Sequence, residues 1–532
     1  MNRAHLNLTI LLVLSLGVAG CGPGNVSQQE SAGQKNVFRY PIVTNPTSLD
    51  PAIVEDGDTI DLLQQVYEGL FGWSTDNKVV PILVDKWELS KDGRIYTFHI
   101  KQGVKFQNGR ELEASDFKYS IERCCDPATK SSTASEYLDD IVGTAEVIAG
   151  KSKDVSGIKV VDKYTVQVQI KAPRRYFLAK LTYPTAFVVA KEAVGSGQIT
   201  TVQQMVGTGP FKVTSFDPNE LVVLAANPDY HGGKIAIDGI QRPVVVDPQT
   251  RLDMFKGGNV DLTPVAPEDL PGIEADPTLK SQLVFYPRPG IYYLGFNVKT
   301  YKPFSDKRVR QAFALAVDRD KICTQTLGGV DKVANTILPP EVFGHQDIPY
   351  VLPFNPTKAK ALLAAAGYPD GKGLPPLEFD YRAGQTNVKL VAESVISQLQ
   401  ANLGVTVQPK EEEWGAYLAE HDEYKHPFFH MRWMADYLDP QDFLSLMLTT
   451  TGAENRTEYS NPQVDALCAK ADLIQDPAKA ALIYDQAEDL ILNDAPWIPV
   501  YYETDAELVS PRIKGLRNSC FGHLPHSTVS LQ

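Results

Sequence analysis

The spacing of apolar residues changes once along this chain, near Pro289, and that change restricts the fold to one with a strand-rich half and an α/β half. Before it, Tyr96-Thr-Phe-His-Ile100, Thr165-Val-Gln-Val-Gln-Ile170 and Leu221-Val-Val-Leu224 are short alternating or fully apolar runs, the patterns of half-buried and buried strands. After it, a strand at Tyr292–Phe296 is followed by a helix opened by Ser305 that carries Val309, Phe313 and Val317. Asn355-Pro356 supplies a cap and a first-turn proline to a helix over Ala359–Ala366, which Gly367 closes. Val388, Val391, Val395 and Leu399 share one face of the next helix, and Gly404 stops it before a strand at Val405–Val407. Such alternation predicts a mostly parallel sheet. The last strand pattern, Trp497–Tyr502, leads to irregular sequence instead of a helix, which predicts a return to the first half. Two lobes with more than one crossing form a cleft that closes.

At roughly 150 residues per domain, 532 residues predict three to four domains or sub-domains. With 43% hydrophobic and 22% charged residues the chain is globular, which excludes disorder and collagen. A net charge of −14 without a basic stripe argues against nucleic acid as a partner. Leu6–Gly20 is too short to span a membrane, for which about 20 apolar residues are needed. With Arg3 before it and small residues at its end, residues 1–20 read as a cleaved signal peptide. The junction Leu16-Gly-Val-Ala-Gly-Cys21 is similar to a bacterial lipobox, so Cys21 is expected to become a lipid-bearing first residue on a small, polar tether over 21–36. Folding is expected from about Val37. The five remaining cysteines are odd in number and no spacing resembles a zinc set; Cys124, on a helical face with Phe117 and Ile121, reads as structural.

Enzyme motifs are missing from the sequence. Gly150-Lys-Ser152 lacks the upstream glycine of a phosphate loop, Gly207-Thr-Gly209 lacks a third glycine, and no G-x-S-x-G elbow is present. His421, His426 and His430 have spacings that fit no familiar ligand set, so no metal and no cofactor is expected. Glu411-Glu-Glu413 reads as a solvated face. One stretch stands out: His430-Met-Arg-Trp-Met-Ala-Asp436-Tyr-Leu-Asp-Pro440. As an extended chain it places His430, Arg432, Met434 and Asp436 on one side and Trp433 on the other. Spacing alone leaves two readings, a cleft lining and a sheet-edge ion pair beside a core tryptophan.

Further runs occur in a fixed order: Asn45-Pro-Thr-Ser-Leu-Asp-Pro51, Val66-Tyr-Glu-Gly-Leu-Phe71, Trp87-Glu-Leu-Ser-Lys-Asp-Gly93, Gly207-Thr-Gly-Pro-Phe211, Asn227-Pro-Asp-Tyr230, Phe304-Ser-Asp-Lys-Arg-Val-Arg310, Ala316-Val-Asp-Arg319, Trp433-Met-Ala-Asp-Tyr437 and Pro499-Val-Tyr-Tyr502. Together they give a chain that resembles, nearly end to end, the family 5 extracellular solute-binding proteins of ABC importers, and among these the oligopeptide-binding members.

The resemblance implies a two-lobed periplasmic-binding-protein fold of cluster C type with three structural regions: lobe one from 37–75, 206–288 and 499–532, an inserted region over 76–205, and lobe two over 289–498. It implies no catalysis, and a monomeric, lipid-anchored protein of the bacterial cell envelope that delivers short peptides to the transmembrane subunits of an ABC permease. In peptide-binding relatives the ligand lies as an extra strand between the lobes. By the same resemblance Asp436 holds the peptide α-amine, Trp414 is a cleft wall, Glu55 lies on the lobe-one strand facing the ligand, and Trp433 and Met434 supply the opposite backbone. His430 stands where some relatives carry an arginine for the α-carboxylate, which leaves Arg432 and Arg382 as candidates for that role. Another solute remains the alternative, an oligosaccharide, a nickel chelate or an opine-like compound; a secreted α/β hydrolase is more remote.

Overall fold

A computed structural model describes residues 36–195 and 197–532; the signal segment 1–20, Cys21 and the tether as far as Lys35 lie outside the described residues. The first strand, Val37–Arg39, pairs in parallel with Gly239–Pro243 and begins a four-stranded sheet completed by the antiparallel strands Leu221–Ala226 and Phe211–Asp217. A second four-stranded sheet is antiparallel throughout, in the order Val84–Leu89, Ile95–Ile100, Thr165–Gln169, Ile158–Asp162. Tyr96, Phe98, Val166 and Val168 point inward there, as their alternation predicts.

The third sheet has seven strands and departs from the parallel expectation. Parallel pairing joins Glu378–Arg382 to Gln408–Glu412 and, at Asp380 and Phe429, to Phe428–Met434; the rest is antiparallel. The cause is two long strands, Leu283–Phe296 and Trp497–Val509, which run side by side through the middle of the sheet. At one end they pair Leu294 with Ile498 inside the largest core, and at the other Trp497–Val509 takes Leu262–Pro264 as its neighbour. Their register is interrupted between Pro287 and Ile291, opposite Thr504 and Tyr502. Such bulges bend and twist a strand pair. The buried members of the largest core fall within residues 291–502, those of a second within 52–190 with Tyr437 added, and those of a third within 38–240 with Leu262, Ile513 and Val529.

Local signals locate most helices. Asn355 accepts from the Lys358 amide at the start of Pro356–Ala365, and Gly404, with φ +71°, ends Thr386–Leu403. Two boundaries move. Lys307–Ala316 is capped by Asp306, not Ser305, because the Asp306 carboxylate reaches the Arg308 amide at 2.9 Å. The strand expected at Val405–Val407 begins at Gln408, where the chain first reaches Glu378; both valines stay buried in the approach. The five described cysteines are free and buried.

Several of the ordered runs turn out to be scaffold that meets in space. Glu68 accepts from the Thr208 hydroxyl at 2.8 Å and from Tyr230 at 3.0 Å, which joins three of them. The Gly209 amide donates to the Val66 carbonyl at 2.9 Å, and a Cβ on Gly207 would lie 2.1 Å from that same oxygen, so only glycine fits there. Asp50 pairs with Arg123 inside the protein, and Arg319 donates to the Pro499 carbonyl at 3.2 Å.

Candidate functional site

Strand Phe428–Met434 has one edge fully paired, Gly290 to Phe296 lying against Met434 to Phe428. Its other edge meets Glu378–Arg382 only at Phe429, so among the described residues Met431–Met434 have no strand on that side. Met434 packs where Gly290 leaves room, since a Cβ on that glycine would sit 3.2 Å from the methionine methyl. The strand stops at Met434, and the simple alternation of sides stops with it. Asp436 is instead set by its own amide, which donates to Asp442 Oδ2 at 3.0 Å; the Trp433 indole donates to the same oxygen at 3.4 Å.

The half-buried Asp436 carboxylate accepts from the Tyr137 hydroxyl at 2.5 Å, a contact between residues 299 positions apart. Tyr137 is held by stacking on Tyr183 at 3.7 Å, and the Tyr183 hydroxyl donates to the Val54 carbonyl at 3.3 Å. No lysine, arginine or histidine lies within ion-pair distance of Asp436 among the described residues. Burial, with the charge of Glu454 adding to it, pushes the Asp436 carboxyl up to about 7 against the opposing Tyr137 hydrogen bond. Glu454 is pushed to about 7 by burial, and Glu136 is raised by burial and by the Asp436 and Glu454 charges. These acids make one end of the site acid-rich; Glu454 is paired with Arg456 at 3.1 Å, whereas Asp436 has no cation within ion-pair distance among the described residues.

The other end carries two arginines. Arg432 Nη1 donates to Glu503 at 2.9 Å, and that charge holds its guanidinium protonated despite burial. The Arg382 guanidinium stacks 4.1 Å over the Trp414 ring and has no carboxylate within ion-pair distance among the described residues; its Nε is buried without a partner. Burial lowers its pKa, and the nearby Arg432 charge adds to that while Asp58 and Asp56 oppose it. Trp414 opens helix Trp414–Asp422, whose first amides are capped by Glu413 Oε2 at 2.9 and 3.2 Å.

Three expectations need correcting. His430 is 3% exposed and stacks on Tyr292, and burial pushes its imidazole down to about 3, so it brings no charge to the position where an arginine was sought. Glu55 is exposed and lies in irregular chain before helix Gly57–Leu63, not in a strand, because no neighbouring strand is beside it. Glu411-Glu-Glu413 is not a uniform solvated face: Glu412 is turned inward to Lys410 and His426, and Glu413 caps a helix.

Tyr137, Glu136, Glu454 and the arginine Arg175 carried no sequence signal. Arg175 Nη2 donates to Asp439 at 2.5 Å and to the Tyr484 hydroxyl at 3.1 Å, while Nη1 donates to the Ala471 and Ile474 carbonyls at 2.8 and 3.0 Å. It pins the 76–205 segment to the α/β half beside the Asp436 turn.

Two lobes of mixed helix and sheet linked by a pair of long strands, with ionisable side chains of both meeting between them, are the architecture of a two-lobed periplasmic solute-binding protein. The chain belongs to the bacterial extracellular solute-binding proteins, family 5, whose middle region matches residues 78–455. It is thus a protein that binds solutes, not an enzyme. It is 31% identical to the periplasmic oligopeptide-binding protein OppA of Salmonella typhimurium, covering 96% of this chain and 94% of that one. It is 30% identical to the probable deoxycholate-binding periplasmic protein YgiS of Escherichia coli, covering 95% of each. The Escherichia coli murein tripeptide binding protein MppA superposes with a TM-score of 0.85 at 28% identity over 93% of this chain and 98% of that one. For the unliganded open form of that protein the TM-score is 0.71 at 27% identity over 94% and 98%. Among the described residues no helix is long and apolar enough to cross a membrane.

Proposed function

We propose that this protein captures short peptides between its lobes and hands them to the transmembrane subunits of an ABC importer, acting as a monomer held to the membrane by lipid on Cys21. The observation that carries this reading is the unpartnered edge of Met431–Met434, which ends at a carboxylate with no cation near it. An extended peptide adds to such an edge through main-chain hydrogen bonds, which is why side-chain identity then matters little. Its α-ammonium would meet Asp436, and its α-carboxylate the guanidinium of Arg382, which lacks an acid partner, with Arg432 behind it. Trp414 and Trp433–Met434 would line the path, and Glu55 would face the ligand from irregular chain that becomes strand-like on pairing.

In this reading 37–75, 206–288 and 499–532 form lobe one, 76–205 its insert and 289–498 lobe two, with the hinge at the interrupted pairing between Pro287 and Ile291. Native mass spectrometry of the chain from Val37 onward tests the ligand class. A ladder of peptide masses is expected. A single steroid-sized mass, as the likeness to a deoxycholate-binding protein allows, or a sugar or metal chelate would overturn it.

A further inference from the structure

We infer that Asp380, Glu412 and His426, with Glu420 beside them, form a binding site for a divalent cation of the zinc type. In sequence these residues share no motif. Strands Glu378–Arg382 and Gln408–Glu412 lie parallel with Asp380 beside Lys410, which brings Asp380 and Glu412 together, and His426 enters from the turn before Phe428. Asp380 is 0% and His426 1% exposed. Both carboxylate oxygens of Asp380, Glu412 Oε1 and His426 Nε2 are buried without a hydrogen-bond partner among the described residues.

The spacing suits a small cation. His426 Nε2 lies 3.2 Å from Glu412 Oε1, 3.9 Å from Glu420 Oε2 and 4.0 Å from Asp380 Oδ1. Metal–ligand bonds of about 2.0–2.2 Å in a tetrahedron put ligand atoms about 3.4 Å apart, so the two longer gaps to His426 need to close by about half an ångström; one ligand atom each from Asp380, Glu412 and His426 lie within 4.8 Å of one another. An imidazole nitrogen with carboxylate oxygens favours zinc and its neighbours over calcium or magnesium. His426 Nδ1 is 3.4 Å from His421 Nδ1; with the shared proton on His426, its Nε2 lone pair faces the carboxylates and His421 orients the ring from behind.

Charge supplies the second argument. Among the described residues the one cation in the cluster is Lys410, whose Nζ is 2.8 Å from Glu420 and 3.1 Å from both Asp380 and Glu412, out of line for a hydrogen bond to Asp380. With all three carboxylates ionised, as metal ligands are, one ammonium among them leaves two negative charges in excess, which a divalent ion balances. Lys410 is on a flexible, one-third exposed stem that can swing to solvent as the ion enters. The ion would clasp the two strands just before Arg382 and Trp414.

Equilibrium dialysis of the purified chain against Zn(II), with Co(II) as a spectroscopic probe, tests the site. One ion per chain is expected. Loss of a ligand in His426→Gln, or in Glu412→Gln should the first variant fail to fold, should weaken binding by at least about 100-fold, the upper range for removing even a supporting residue. Lys410→Met should bind more tightly, because the competing ammonium is gone, and should melt lower than the parent without zinc but recover with it. If neither the parent nor Lys410→Met binds one equivalent, or if the ligand variant that folds binds as the parent does, no such site exists.

Discussion

In the proposed function, the environment of Asp436 makes the capture of an amine-bearing ligand depend on pH. Burial and Glu454 raise this carboxyl from 3.8 to about 7, which costs its ionised form about 4 kcal/mol relative to water at about 1.36 kcal/mol per pKa unit. An ammonium brought against it replaces the missing solvation, so binding selects the ionised form. Above about pH 7 that form is already present; below it, binding must release a proton, and affinity falls toward about tenfold per pH unit. A peptide amine, with a pKa near 8, stays protonated throughout this acid window. Asp436→Asn keeps the shape and removes the charge. Its affinity for a free-amine peptide at neutral pH should drop by about 3–5 kcal/mol, roughly two-hundred- to several-thousandfold, and its acid limb should flatten. Calorimetry of parent and variant with a free-amine peptide and its N-acetylated twin, from about pH 8 to about pH 5, measures both effects. If acetylation costs both proteins the same affinity, or if the parent is flat across the window, Asp436 does not meet the amine.

Other perturbations probe the frame around this site. Arg175→Met leaves Asp439 buried without its partner, a loss of about 3–5 kcal/mol from the contact between the 76–205 segment and the α/β half. Small-angle scattering should show a more open ligand-free particle, and peptide affinity should fall; an unchanged profile and affinity would mean that Arg175 does not hold the lobes. Gly207→Ala drives a methyl into the Val66 carbonyl and should lower stability by about 1–3 kcal/mol, read as a lower urea midpoint, and an unchanged midpoint would contradict the close approach. Cys21→Ser should move the protein from the membrane fraction to the soluble fraction; retention in the membrane would remove the lipid anchor from the proposed function.

What the chain encodes locally could be read without a fold. Asn355 and Gly404 mark helix ends because a cap and a left-handed turn each depend on one residue's own chemistry. Tyr96 to Ile100 and Thr165 to Gln169 show a buried face because alternation is a property of an extended backbone. Asp436 and its neighbours were visible as a suggestive stretch and, through the resemblance, as candidates with roles. Pairing across distance was not legible. The central sheet is mixed, not mostly parallel, because two long strands from separate parts of the chain lie together in it, and nothing within either strand names its partner. The charge states were equally hidden: His430 is neutral, Arg432 is tied to Glu503, and Asp436 lies under Tyr137, 299 residues away. Protonation and ion pairing depend on burial and on which charges the folded chain brings within a few ångströms, and those neighbours exist only once the tertiary structure has formed.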